Sequence, residues 1–285
     1  MAIWMPANWP RHRSTLVPDD KPHDLSITPD FWHCQELYRP GKMNLVTSQP
    51  PHSQDKLELP PLSSQSIAMT INYAQARENM VEQQVRPWEV LDPRVLAVIG
   101  STPRELFVDE AHRELAYADL SLPIGHDQFM MKPVIEGRTL QGLLPQAHER
   151  VLEVGTGSGY FAACLAQLAA SVHSLEIQPA LAEAAQTRLA AQGYGNVTVE
   201  VADALQWHSD SRFDVVCVTG AVTEVPAHFF DWLSPGGRLF VIHGHSPVMQ
   251  AEIFTGTVNH PQRQSLFETD LPYLSGAAPV PRFSL

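Results

Sequence analysis

The run Val151-Leu152-Glu153-Val154-Gly155-Thr156-Gly157-Ser158-Gly159-Tyr160 moves from a short apolar stretch into three closely spaced glycines. A buried strand that ends in such a turn and enters a helix surrounds a bend with unpaired backbone N–H groups, and glycine lets a ligand approach with no Cβ in the way. Glu176 stands 21 residues after Gly155, at the end of the next expected strand, where a carboxylate can accept hydrogen bonds from both hydroxyls of a ribose. Asp203 and Ala204 follow the strand after that: an acid for an adenine amino group and a small side chain that leaves room for the ring. Singly these signals are weak, because a glycine turn can be a tight connection and acids at strand ends are mostly solvated. In register they describe a nucleoside socket made by Glu153, Gly155, Gly157, Gly159, Glu176, Asp203 and Ala204.

A nicotinamide dinucleotide would use the same turn and the same ribose acid. The spacing here is G-x-G-x-G, and Tyr160 stands where the dinucleotide pattern has its last small residue, too large for close helix packing. Pro235-Gly236-Gly237-Arg238-Leu239 resembles the late turn of class I methyltransferases. S-adenosyl-L-methionine is therefore favoured over a dinucleotide, and a methyltransferase over a dehydrogenase.

The elements around these residues alternate. Strands are expected at 150–154, 171–176, 197–201, 213–218 and 238–243, with helices at 133–144, 160–169, 179–192 and 227–233 between them. This is an α/β, Rossmann-like pattern with a mostly parallel sheet and helices on both faces. Two further runs, 251–258 and 264–269, are separated by Asn259, His260 and Pro261 and suggest a closing antiparallel hairpin. Upstream, 72–86 and 92–99 suggest two helices, and 103–111 a turn and a further helix. The stretch from Tyr117 to Pro133 reads as irregular and is the candidate substrate loop.

Ten of the 24 prolines fall before residue 62, where no helical or strand period is sustained. Residues 1–68 are expected to be a disordered or loosely docked extension, or the product of an upstream start codon. The expected catalytic domain is 69–285, with an N-terminal helical cap over about 72–133. A net charge of -12 opposes broad binding to nucleic acid or anionic lipid. The sequence contains no long apolar run for a membrane span and no signal-peptide pattern. Cys34, Cys164 and Cys217 are odd in number and widely spaced, which suits a reducing cytoplasm and no metal site.

From about Asn72 to Leu274 the chain resembles the protein-L-isoaspartate O-methyltransferase family. The resemblance rests on Met80-Val81-Glu82-Gln83-Gln84-Val85-Arg86, Pro103-Arg104-Glu105-Leu106-Phe107-Val108, and Ala116-Tyr117-Ala118-Asp119 leading to Leu122-Pro123-Ile124-Gly125. The glycine turn, Asp203 and the Pro235–Leu239 turn then follow in the family's order. It implies a class I methyltransferase that uses S-adenosyl-L-methionine to esterify the abnormal carboxylate of isoaspartyl residues in a damaged protein or peptide, the first step of their repair.

The chain departs from that family just after Gly125. Where its members carry a Gln-Thr-Ile-Ser type run before a proline, this chain has Gln128-Phe129-Met130-Met131-Lys132-Pro133. Phe129 and Met131 replace the two hydroxyl residues, so no catalytic residue carries over; Gln128 and Pro133 still match. The substrate loop is thus expected to comprise Leu122, Pro123, Ile124, Gly125, Gln128, Phe129, Met131 and Pro133. Two alternatives stay open: a methyltransferase with another acceptor, and a cofactor-binding protein without isoaspartyl activity. His126, His243 and His245 lie near expected loop ends and are assigned no role.

Overall fold

A computed structural model describes residues 71–280. The segment 1–68, and with it the expectation of an extension, lies outside the described residues.

Asn72 caps α1 (Tyr73–Met80) by accepting the Gln75 N–H. The helix then widens into a π-type turn at Val81–Val85 and tightens at Arg86–Trp88, in place of one uniform helix over 72–86. Met80, Val81 and Val85 are all buried, Val81 and Val85 at the i,i+4 spacing that shares one helix face. Asp92 caps α2 (Pro93–Ser101) and Pro93 opens it. The helix expected over 103–111 is instead two short 3₁₀ turns, Arg104–Leu106 and Glu110–Leu115.

The stretch expected to be irregular contains a small hairpin, β1 (Leu122–Gly125) and β2 (Gln128–Met130), which pair antiparallel. His126 and Asp127 make its two-residue turn with φ of 53° and 56°. Such turns need left-handed backbone at both positions, and the usual Asn-Gly signal is absent from this sequence.

The main sheet is built from β3 (Arg150–Val154), β4 (Ser171–Glu176), β5 (Val197–Val201), β6 (Phe213–Val222), β7 (Leu233–His245), β8 (Val248–Thr257) and β9 (His260–Thr269). Their order is β5-β4-β3-β6-β7-β8-β9. Neighbours from β5 to β7 are parallel, and β8 and β9 close the edge antiparallel. Chain order reverses direction at β3, whose neighbours are β4 and β6; a crevice opens beyond the carboxyl ends of parallel strands at such a switch point.

Successive residues of the strands serve opposite faces. Val151, Val215, Cys217, Phe240 and Ile242 join one core with residues of α3 (Pro133–Leu143), α4 (Tyr160–Ala166) and α5 (Pro179–Ala191). Leu152, Val154, Val216, Val218, Leu239 and Val241 join a second core. That face is covered by a 3₁₀ turn at Ala227–Trp232, shorter and tighter than the expected helix, in which Phe229 and Trp232 stack with ring centres 4.6 Å apart.

Arg238 at the end of the Pro235–Leu239 turn fastens α3 to the sheet. Its guanidinium donates to the Leu143 and Leu144 carbonyls at 2.5 and 3.2 Å and grips both oxygens of Glu149 at 2.8 Å. The fork caps the carbonyl end of the helix, and its hydrogen bonds hold the Glu149 carboxyl below the usual range. Arg238→Lys, which keeps the charge and loses the fork, is expected to lower the unfolding free energy by about 1.5–3 kcal/mol in a denaturant titration. An unchanged midpoint would mean that Arg238 does not hold this junction.

Candidate active site

The crevice at the switch point is a cavity of about 730 Å³, counting its open mouth. It is lined by Gly155 and Gly157 from the turn, Glu176 at the end of β4 with Ile177 beyond it, and Ala202 to Leu205 after β5. Ile124, Gln128 and Phe129 of the hairpin line it as well. Thr219, Gly220 and the segment Leu271–Ser275 complete the wall.

Parallel pairing of β3 with β4 brings the glycine turn against the end of β4. Gly155 has φ of 96°, and a Cβ there would lie 2.4 Å from the Thr219 hydroxyl, so no other residue fits. The N–H groups of the turn, expected to be free for a ligand, are in use. Gly155 and Thr156 donate to the Leu175 carbonyl at 2.8 and 3.1 Å, and Gly157 donates to Glu176 Oε2 at 2.8 Å. Glu176 Oε1 accepts the Gln178 N–H at 3.0 Å. The carboxylate is 5% exposed, fixed at both oxygens, and each oxygen keeps a lone pair for a further donor. Asp203 accepts the Leu205 N–H at 2.9 Å through Oδ1, a local turn that fixes its side chain at the cavity wall.

Two of the seven socket residues fall elsewhere. Gly159 touches α5, where a Cβ would come 3.2 Å from the Ala185 Cβ; it lets two helices pack and does not line the cavity. Glu153 is buried beneath the turn and lines neither cavity described here. Its carboxyl accepts from the Ser174 hydroxyl, which in turn accepts from Thr156 at 2.6 Å. Burial pushes Glu153 up to about 8, aided by the nearby Glu176 and Glu136 and opposed by Ser174.

Of the expected substrate loop, Ile124, Gln128 and Phe129 reach the main cavity. Phe129 is 48% exposed at its mouth. Met131 is buried and lines a smaller cavity that adjoins the first. Leu122 is buried in the core, Pro123 pairs with Phe129 across the hairpin, Gly125 starts its turn and Pro133 opens α3. His126 sits in the turn, His243 pairs with Glu252 at 2.7 Å and His245 is exposed; none lines the cavity.

Ile177, Leu205, Thr219, Gly220 and 271–275 were not expected in the site. Thr219 lies in β6 beyond the expected end of that strand, and its hydroxyl contacts the Val154 and Gly155 carbonyls at 2.9 and 2.7 Å. The segment 271–275 returns from the last strand and docks on Ala221, with Ala221 donating to Pro272 and Leu274 to Ala221. No periodicity marks such a strap in a sequence.

Among the described residues no cluster of three or more His, Cys, Asp or Glu side chains could hold a metal ion, and no helix is long and apolar enough to cross a membrane.

The position of Glu153 has a thermodynamic consequence. Its proton stays on in the native state up to about pH 8 and leaves the unfolded chain near the ordinary carboxylate range of about 4.3. Native protein therefore binds the extra proton between those values, and stability declines as pH rises through that window. Glu153→Gln should flatten the decline by about one proton in denaturant titrations from pH 5 to 8.5; an identical slope in the variant would place the Glu153 carboxyl outside the core.

A profile of the family described as protein-L-isoaspartate(D-aspartate) O-methyltransferase matches residues 75–257. Protein-L-isoaspartate O-methyltransferase 1 of Syntrophobacter fumaroxidans is 45% identical over 172 residues, 60% of this chain and 80% of that protein. A Synechococcus protein-L-isoaspartate O-methyltransferase is 41% identical over 196 residues, 68% of this chain and 80% of its own. A Plasmodium falciparum structure, described as a protein-L-isoaspartate O-methyltransferase in complex with S-adenosyl-L-homocysteine, superposes with a TM-score of 0.62 over 72% of this chain and 99% of that one, at 19% identity. The fold is that of a class I methyltransferase, and the chain belongs to the protein-L-isoaspartate O-methyltransferase family.

Proposed function

We propose that this protein is an S-adenosyl-L-methionine-dependent carboxyl O-methyltransferase that esterifies isoaspartyl residues of a damaged protein or peptide and so starts their repair. The acceptor follows from membership of the family, and the observation that carries the cofactor reading is the electrostatics of the socket. The N–H groups of Gly155, Thr156 and Gly157 are consumed by β4, so the turn is a poor cradle for a pyrophosphate, while Glu176 and Asp203 present acceptors. Ribose hydroxyls, an adenine amino group and a cationic sulfonium all suit such a wall; an anionic bridge between two nucleosides does not. We assign Gly155, Gly157, Glu176, Asp203 and Ala204 to the cofactor and place the activity in residues 69–285, with 72–133 as the cap over the site. Two buried free thiols, Cys164 and Cys217, support a cytoplasmic setting.

When bound, S-adenosyl-L-methionine supplies an electrophilic methyl group. An aspartyl-type carboxylate is already ionised at neutral pH, so the protein needs no strong base to activate it. Its task is to orient the carboxylate and exclude water. Ile124, Phe129 and Leu274 form apolar walls for that purpose. The hairpin offers no hydroxyl; Ser158, which lines the adjoining cavity, accepts the Tyr160 N–H at 3.2 Å and keeps its own proton for an oxygen of the bound cofactor.

Purified protein is expected to transfer a methyl group from S-adenosyl-L-methionine to an isoaspartyl peptide and not to the same peptide with normal aspartate. Tight binding of S-adenosylhomocysteine without this transfer would overturn the acceptor assignment and leave the cofactor assignment standing. Phe129→Thr places a hydroxyl at an exposed position without disturbing the core, and should raise kcat/KM on the isoaspartyl peptide about tenfold, the worth of one hydrogen bond to a charged group. An unchanged value would mean that Phe129 does not face the acceptor.

A further inference from the structure

A second cavity, about 300 Å³ with its open side, adjoins the first across the glycine turn. The two share Ile124, Phe129, Gly155, Gly157 and Thr219. With the ribose at Glu176 and the adenine at Asp203 to Leu205, the remaining part of the cofactor is its zwitterionic amino-acid tail. That tail must leave along Gly155 and Gly157, and this second cavity is what lies beyond them.

Among the described residues that line it, Glu136 is the one carboxylate. The residue projects from α3 and is 2% exposed. One of its oxygens accepts from Arg104 Nη1; the other has no hydrogen-bond partner among the described residues. Arg104 is fully buried, donates to the Met131 carbonyl at 2.5 Å and lies 4.7 Å over the Tyr160 ring. The Arg104 side chain is thereby clamped from three sides, and it fixes Glu136 facing the cavity.

A buried carboxylate with one free oxygen is costly unless a proton or a second cation meets it. The groups facing Glu136 are Arg104 from the 3₁₀ turn, Asp119 from the loop before β1, Glu153 from β3, and Tyr160 and Cys164 from α4. Burial pushes Glu136 up to about 8 against the pull of Arg104, with Asp119 adding to the rise. An acceptor carboxylate at this spot would meet like charge. An ammonium group would complete an alternating row of cation, anion and cation.

We propose that Glu136, held by Arg104, receives the α-ammonium group of the cofactor's amino-acid tail. The assignment rests on the cofactor reading above, and it makes Glu136 a determinant of tail recognition rather than of adenosine binding.

Isothermal titration of the full chain separates the two. S-adenosylhomocysteine carries the tail; 5′-deoxy-5′-methylthioadenosine carries the same adenosine and thioether without it. Glu136→Gln should weaken S-adenosylhomocysteine about tenfold or more and leave methylthioadenosine unchanged. Equal weakening of both ligands, or of neither, overturns the proposal. Because the substitution leaves the Arg104 charge unpaired, a third ligand is titrated against the unaltered protein: the analogue of S-adenosylhomocysteine that lacks the α-amino group. It should lose a similar factor, and a full-strength affinity for it overturns the proposal whether or not the variant folds. Wild-type protein that binds none of the three ligands would remove the cofactor assignment and this proposal together.

Discussion

The hydrogen bond from the Gly157 N–H to the Glu176 carboxylate is the contact around which the site is organised. It ties the turn after β3 to the end of β4 and gives one carboxylate two tasks: satisfying a backbone donor in the bend and presenting acceptor lone pairs to the crevice. The Leu175 carbonyl takes the two preceding N–H groups, so the bend is held shut by β4 before any ligand arrives. Preorganisation of this kind removes an ordering cost from binding. It also fixes the character of the ligand, since a wall of acceptors attracts hydroxyls, amines and cations.

That character extends below and beside the turn. Glu153 beneath it and Glu136 beside it are both fully buried acids with proton affinity raised by desolvation. Glu153 is supported by Ser174 and Thr156, and Glu136 by Arg104. Buried acids near one another cost stability. Their concentration around the glycine turn is the pattern expected where a fold gives up stability to shape the field around a positively charged ligand.

The parts of this architecture that could be read in the sequence are those with a strong local signature. The bounds of β3, β4 and β5 follow from short apolar runs between turns, and the switch point follows from their alternation with helices. Glu176 is legible because a strand end after a glycine turn leaves few places for an acid to go. Gly159 and Glu153 show the limit of motif reading: both belong to the glycine run, yet one serves helix packing and the other a buried hydrogen-bond chain. The hairpin at Leu122–Met130 was hidden by its His126-Asp127 turn, and the strap at 271–275 by the absence of any period. Glu136 was hidden for another reason: on α3 it occupies a helical position like any other, and the partnership with Arg104 that gives it meaning spans 32 residues of chain.

The most direct measurement is a crystal structure of the protein with S-adenosylhomocysteine. Both ribose hydroxyls are expected within hydrogen-bonding distance of Glu176, with the adenine lying against Ala204 beside Asp203. An adenosine found in another crevice, or a Glu176 carboxylate turned away from the sugar, would contradict the assignment of this socket to the cofactor.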